Sequence, residues 1–549
     1  MPPVPAQSQD INNPVTVDVV ATDKRGIRIT DLKPEEIQIS ADGVHLPAEL
    51  FRPSSSPQRV AGPDATAPQI FRSVPPGSCS NLVPAPLSQT APLVIVLADV
   101  LNTPADMRDR LRNTFAGLLD QMDSNSHVTI YGLTGSLRVL EDSAGDPSVL
   151  SAAMRSVQKR SADFSTARTA DSGRVLPPPA SSTESPTEFL QTVEDFKTFQ
   201  TYPDLDDRIT TTLSALGGIA RQFERTPGRK ALIWLTGDYP CIFIPPILEP
   251  GQQCGSLEEM RAEVFRRLQQ AHIAVYPVTT PVRERKSSEV TDAANAFGRS
   301  PSPTVVLAPP PHEQNTFKRD LVVNSTVVKT IAEATGGRVL DTAHLQKALE
   351  LARSDCRDYF QLVLPATDPT AGYHKLNITT TRHDVSLLFP HGRYGDRPGP
   401  APLWTPTIAN ELEDALINDR LQSAGVPMMA RKQPGAAAIE LFVDARALTF
   451  LEQVDGRYAI SFDLAVAVFS PSYRPLAANI DPMKRVFTSD RMNAARSNGL
   501  LLHAFYPENE RARYVRVLIR DSGSGRIGTV DVPIECKACN VLHAEAHPE

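Results

Sequence analysis

Four residues near the C-terminus, Cys536, Cys539, His543 and His547, follow the pattern C-x2-C-x3-H-x3-H. Thiolate and imidazole are ligands that zinc takes. The spacing leaves only a tiny loop with no aromatic anchors around it, which favours a flexible tail carrying a CxxC disulfide or free thiols. Cys241 and Cys254 flank a proline-rich loop. They are expected to close that loop in an oxidising compartment and to stay reduced in the cytosol. Cys79 and Cys356 lie far apart, and nothing in the sequence pairs them. No G-x-S-x-G, P-loop, H-E-x-x-H or G-x-G-x-x-G stands in a strand-to-helix context. His127 opens a predicted strand and reads as structural. The pairs Glu35-Glu36 and Glu258-Glu259 fall in first helical turns or on solvated faces, where carboxylates favour the helix dipole over acid–base work. The expectation is a protein that is not an enzyme.

Composition frames these groups. At about 150 residues per domain, 549 residues make room for three or four domains. A net charge of −7, thinly spread, argues against the basic face of a nucleic-acid binder. Proline is nearly double its average use, at 49 residues, and concentrates in linkers and irregular loops. No apolar run approaches the ~18 residues of a membrane span. The start, MPPVPAQSQD, lacks a charged and apolar leader, but Pro5-Ala6-Gln7-Ser8 looks like the surroundings of a cleavage site. Export to an extracytoplasmic place, periplasmic or secreted, is the expectation.

The pattern changes style along the chain. Residues 1–13 read as disordered, and 14–52 alternate as strands through Val15, Val17 and Val19, with a hairpin turn at Asp42-Gly43. Residues 53–90, rich in proline and serine, read as a linker. The segment 91–353 alternates apolar strands with helices. Leu93–Ala98 ends in Asp99, and His127–Leu133, Ala231–Thr236 and Ile273–Val278 follow. Helical spacing links Leu111 with Phe115 and Leu213 with Leu216, and an Asp146-Pro147 start precedes Leu150 and Met154. Ser256 with Glu259 reads as a capping box. Irregular insertions fall at about 160–200 and 281–318. Strands apolar throughout imply a parallel sheet covered on both faces. Alternation returns over 354–396, and the two flanks, 14–52 and 357–395, are expected to pair in one β domain with the α/β region inserted between them. Residues 397–535 read as a C-terminal β-sandwich-like domain and 536–549 as a flexible tail.

The segments VDVVATDKRGIRITDLKPEEIQIS, LVIVLADVLNT, TPGRKALIWLTGDYP, IAEATGGRVLDTAHLQKAL and DYFQLVLPAT occur in this order. Together they resemble the VWFA-related proteins described from Acidobacteria, a von Willebrand factor type A (VWA)-like family. The resemblance covers most of 14–395. It implies a VWA/Rossmann-like, doubly wound, mostly parallel sheet, with binding outside the carboxyl ends of the strands. It also implies protein binding through a divalent cation, Mg²⁺ or Mn²⁺, held by hydroxyl and carboxylate oxygens. On that pattern Asp99 matches the first Asp of an Asp-x-Ser-x-Ser loop and Thr103 its last hydroxyl, while Leu101 replaces the middle Ser and the neighbouring Asn102 offers an oxygen. Thr210 fits the Thr before a helix, with Thr211 and Thr212 as near alternatives. Asp238 stands one residue later than the Asp expected after Thr236. The implied function is adhesion to an unidentified protein ligand, with a degenerate cation site and no membrane span. The alternatives are a cation-dependent hydrolase using the same strand ends and an intracellular assembly factor.

Overall fold

Alternating valines in VTVDVVATD turn every second side chain inward, and the segment forms strand β1 (Val15–Asp23), with Val17 and Val19 buried. The computed structural model describes residues 15–46, 49–53, 71, 77–82, 93–103, 107–120, 127–134, 137–142, 205–237, 257–279, 327–341, 345–364, 373–394, 406–418 and 421–534. Strands β2 (Ile37–Ala41) and β3 (Val44–Leu46) form a hairpin through Asp42 and Gly43. Both turn residues have positive φ, 49° and 84°, as a type I′ turn requires. β4 (Glu49–Pro53) follows, and then β5 (Cys79–Ser80).

Continuous apolar runs build the next unit. In chain order it comprises β6 (Leu93–Asp99), α1 (Arg108–Asp120), β7 (His127–Leu133), β8 (Leu137–Asp142), α2 (Leu205–Phe223) and β9 (Lys230–Thr236). It continues with α3 (Glu258–Gln270), β10 (Ile273–Thr279), α4 (327–335), β11 (Leu340–Asp341) and α5 (Leu345–Arg357). The sheet order is β11-β10-β9-β6-β7-β8, with five parallel strands and β8 antiparallel at the edge. Its strands are apolar on both sides because helices cover both faces. Ile95, Leu97 and Trp234 pack with Leu216 of α2, Leu268 of α3 and Ile331 of α4. Val94, Val96 and Ile233 pack with Phe115 of α1 and Leu349 of α5.

Two local features differ from or sharpen the sequence pattern. The expected Ser256–Glu259 capping box involves Ser256, which lies outside the described residues; the N-cap of α3 is Leu257, which packs against the core. At the end of α4, Gly336 takes φ +73°, and a Cβ on Gly337 would lie 1.9 Å from the Val275 carbonyl oxygen. The turn therefore needs glycine for close approach as well as for its dihedrals. The expected helix after Asp146 and the insertions at 160–200 and 281–318 lie outside the described residues.

After α5 come β12 (Phe360–Leu364), β13 (Tyr373–Thr380), β14 (Val385–Leu388) and β15 (Gly392–Tyr394). The first half of β1 pairs antiparallel with β12, from Val15↔Leu364 to Val19↔Phe360, and its second half pairs with β14. β13 pairs with β2, Leu376 facing Ala41. Two four-stranded sheets, β14-β1-β12-β4 and β15-β13-β2-β3, enclose Val17, Ile39, Leu362 and Ile378. The parallel-sheet unit thus lies, in sequence, between β4 and β12.

A buried polar seam joins this β unit to the α/β unit. Asp355 of α5 is fully buried. It accepts from Tyr276 Oη (2.9 Å), from Arg338 through Nε and Nη2 (2.9 and 3.0 Å), and from Arg28. Asp18 of β1 is 2.9 Å from His272 Nδ1, and Thr16 Oγ1 is 3.3 Å from His272 Nε2. Lys230 Nζ donates to the carbonyls of Gly228 (2.8 Å) and Ala271 (2.6 Å). Burial pushes the Lys230 ammonium down to about 7, against the pull of the Asp18 charge. An unfolded chain keeps that proton up to the ordinary value of 10.5. The neutral amine's contribution to stability is therefore present above 10.5 and lost as pH falls through about 7. Relative to Lys230→Met, the natural chain is expected to gain roughly 2–3 kcal/mol between about pH 7 and pH 9. Urea midpoints of the two proteins across that range measure the gain; parallel curves would refute it.

The last unit begins with α6 (Pro406–Glu413), which runs on as a π-helical turn, Asp414–Asn418. It continues through β16 (Met428–Lys432), β17 (Ala438–Val443), β18 (Leu451–Glu452), β19 (Tyr458–Phe469) and β20 (Pro475–Phe487). It closes with α7 (Ser489–Asn498), β21 (Leu500–Phe505), β22 (Tyr514–Asp521) and β23 (Ile527–Pro533). Sheet β21-β17-β16-β5 packs on sheet β18-β19-β22-β23, with β20 paired to β19, around Met428, Leu441, Phe462 and Val517. The other face of β19 and β22 covers Leu412 and Leu416 of α6 and its π turn. That same segment reaches the α/β unit: Asp414 accepts from Ser214 of α2 (2.7 Å), and Glu411 pairs with Arg267 of α3.

The stretch 53–90 is more than the expected linker. Cys79 and Ser80 form β5, which pairs with Ala430 and Met429. The buried Asn81 donates to the carbonyls of Ser423 (2.8 Å) and Val426 (2.9 Å) and accepts from Met428 N (2.8 Å). Too short to show a period, this strand is defined by its partners hundreds of residues later.

Candidate functional site at the strand switch point

Counted within the α/β unit, the strand order reads 3-2-1-4-5-6, so β6 and β9 are the neighbours at which the order reverses. Connections leave these two strands toward opposite faces, which opens a crevice outside their carboxyl ends. Asp99 and Thr236 sit there, the last residues of the two strands and in register.

Asp99 is 0% exposed. Its Oδ1 accepts from Asn102 N (2.9 Å), and its Oδ2 from Asn102 Nδ2 (2.8 Å) and Trp234 Nε1 (3.0 Å). Asn102 Nδ2 also donates to Thr212 Oγ1 (2.8 Å), and Asn102 Oδ1 accepts from Arg208 Nε (3.2 Å). Thr103 Oγ1 donates to the Asp99 carbonyl (2.5 Å) and accepts from Gly237 N (2.9 Å), tying the loop after β6 to the end of β9. Burial pushes the Asp99 carboxyl up to about 6, while the Asn102 and Trp234 donors and the Arg208 charge pull it back. At neutral pH the group is mostly ionised.

Of the residues taken from the resemblance, the structure brings Asp99, Asn102 and Thr103 together. Thr210 is exposed on α2, and Thr212 is the threonine that reaches Asn102. Two residues along an α-helix turn a side chain by about 200°, so only one of them can face the sheet. Asp238 lies outside the described residues, as do Cys241, Cys254, Cys536, Cys539, His543 and His547. Thr212 is a near alternative to Thr210 in sequence; Arg208 and Trp234 are not singled out there. Arg208 and Thr212 share the i, i+4 face of one helix, the signal that could have found them. Trp234 is indistinguishable in sequence from any core residue of ALIWLT.

Among the described residues the donor set does not fit a resident Mg²⁺ or Mn²⁺. Such ions need oxygen lone pairs, but both Asp99 oxygens face N–H groups and the Asn102 oxygen faces a guanidinium. Among the described residues no group of three or more His, Cys, Asp and Glu is placed to hold a metal. Beside the sealed centre, Met107, Leu111, Thr114, Gly237 and Val278 line a small hollow between α1 and the ends of β9 and β10.

No protein-family model matches the chain, and no curated protein matches it. Among solved structures it is similar to an aerotolerance-related membrane protein from Bacteroides fragilis NCTC 9343, determined with multiple mutations to serines. That likeness has 12% identity, spans 48% of this chain and 98% of that one, and has a TM-score of 0.23. It is also similar to the human COPII-coat protein Sec24c, at 10% identity over 56% of this chain and 43% of that chain, with a TM-score of 0.21. Likenesses this low leave the function to the chain's own geometry. No helix among the described residues is long and apolar enough to cross a membrane.

Proposed function

We propose that the chain is a non-catalytic, VWA-like protein-interaction module. Its binding face is the rim of the switch point at the carboxyl ends of β6 and β9, displayed with its β domains in the cell envelope or outside the cell. The observation that carries this reading is the 3-2-1-4-5-6 order with Asp99 and Thr236 paired at its reversal. Open α/β sheets bind their ligands at that place. The chemistry beneath the rim supports binding over catalysis. Asp99 is wholly buried and accepts three N–H bonds on its two oxygens, which holds the carboxylate beneath the rim and out of reach of a substrate in the crevice.

The test places a photo-crosslinking residue at Thr114 of the full chain, in extract of the source organism, with and without Met107→Arg. Met107 lines the hollow beside the rim. A single crosslinked protein that falls at least tenfold with Met107→Arg, at an unchanged melting temperature, is the expected result. Crosslinking indifferent to Met107→Arg, or hydrolytic activity lost with Asp99→Asn, would overturn the reading.

A further inference from the structure

We infer that Arg208 and Asn102 occupy the role that a divalent cation has in the resembled family, so that the switch-point loops are held in their binding arrangement without an ion. This rests on the proposed rim only for its consequence for a partner. The geometry of the centre stands by itself. An ion at the end of β6 would do two jobs: neutralise the buried Asp99 carboxylate and tie together the loop after β6, the start of α2 and the end of β9. Here side chains do both.

The neutralising charge is the Arg208 guanidinium, itself buried and relayed to the carboxylate through the Asn102 amide, whose oxygen faces Arg208 and whose nitrogen faces Asp99. The ties are Asn102 to Thr212 on α2, and Thr103 to Gly237 at the end of β9. Trp234 takes the remaining carboxylate contact from the neighbouring strand. Admitting a cation would turn the Asn102 nitrogen away from Asp99, strip the indole N–H of its acceptor and set two positive centres against one carboxylate. Each donor so released is buried, and buried donors without acceptors are costly. The sequence departures follow from the same arrangement. Leu101, in place of a serine, is buried in the core beneath the loop, and Gly237 contributes a backbone N–H where the family places a carboxylate.

The experiment uses the full chain and Mn²⁺ alone, with bound ion counted by its electron paramagnetic resonance signal. The natural chain is expected to bind no Mn²⁺ that Asp99→Asn removes, and its melting temperature is expected to be the same in EDTA and in millimolar Mg²⁺. Replacing the stand-in, Asn102→Ser with Arg208→Ser, takes the amide off Asp99 Oδ2 and Thr212 Oγ1, removes the guanidinium charge and adds a hydroxyl oxygen at both positions. Mn²⁺ affinity should then rise at least tenfold over the natural chain. If the double variant does not fold, Arg208→Ser alone carries the test with the same expected direction. Mn²⁺ bound by the natural chain and lost with Asp99→Asn would overturn the inference, and so would folded variants with no gain. No partner enters this measurement, so it can fail while the rim still captures a protein, and hold while the rim captures none. If both readings hold, capture at Thr114 is unchanged by EDTA.

Discussion

Asp355→Ala is expected to lower the stability of the fold by about 4 kcal/mol, the cost typical of removing one partner from a buried charge cluster. The carboxylate is 0% exposed and gathers Arg28 from the β unit, Arg338 from the turn before β11 and Tyr276 from β10. Without it, the Arg28 and Arg338 charges lose the carboxylate between them, and the buried Tyr276 hydroxyl loses its acceptor. The loss should be local in kind. Hydrogen-exchange protection should fall together in β1, β12 and α5, while the C-terminal sandwich stays protected. Asp355→Asn keeps an acceptor oxygen but not the charge and should fall between the two. The chain has several units, so segment-resolved exchange is a better readout than a single unfolding midpoint. Unchanged protection in β1 would mean that the hydrophobic contacts at the seam hold the units together alone.

Trp234→Ala should cost about 4 kcal/mol as well, for a different reason: it empties the largest fully buried side chain of the central sheet. Trp234→Phe separates packing from polarity. It keeps a ring in the core but removes the Nε1–H that reaches Asp99. A hydrogen bond to a charged group is worth about 2 kcal/mol, and that is the loss expected from the phenylalanine variant. Asp99 should also titrate higher than about 6, since burial would then act against one donor fewer. Urea unfolding of the two variants, each measured at neutral pH and near pH 5, distinguishes these effects. At pH 5 the phenylalanine variant should recover part of its deficit, because a protonated Asp99 needs fewer donors. A deficit the same at both pH values would mean that the indole acts through shape only.

The residues by themselves determine the elements whose cause is local. The runs 93–98, 231–236 and 273–278 are apolar throughout because helices cover both sides of the sheet, and that pattern announces a parallel α/β core without any knowledge of partners. Asp42-Gly43 specifies its turn because few other pairs adopt two positive φ angles. Tertiary structure decides whatever depends on distant partners. The strand Cys79–Ser80 exists because Met429 and Ala430 offer it an edge. The exposed Thr210 and buried Thr212 are equivalent in sequence and are told apart only by the rotation of α2 against the sheet. Asp18, Arg28, His272, Arg338 and Asp355 each read as surface charges in one dimension, and only folding gathers them into a seam. The same holds at the switch point. Asp99 and Thr103 mark the place in sequence, but whether a carboxylate there meets a cation or an amide depends on Arg208 and Trp234, which lie more than a hundred residues away and arrive from two different elements.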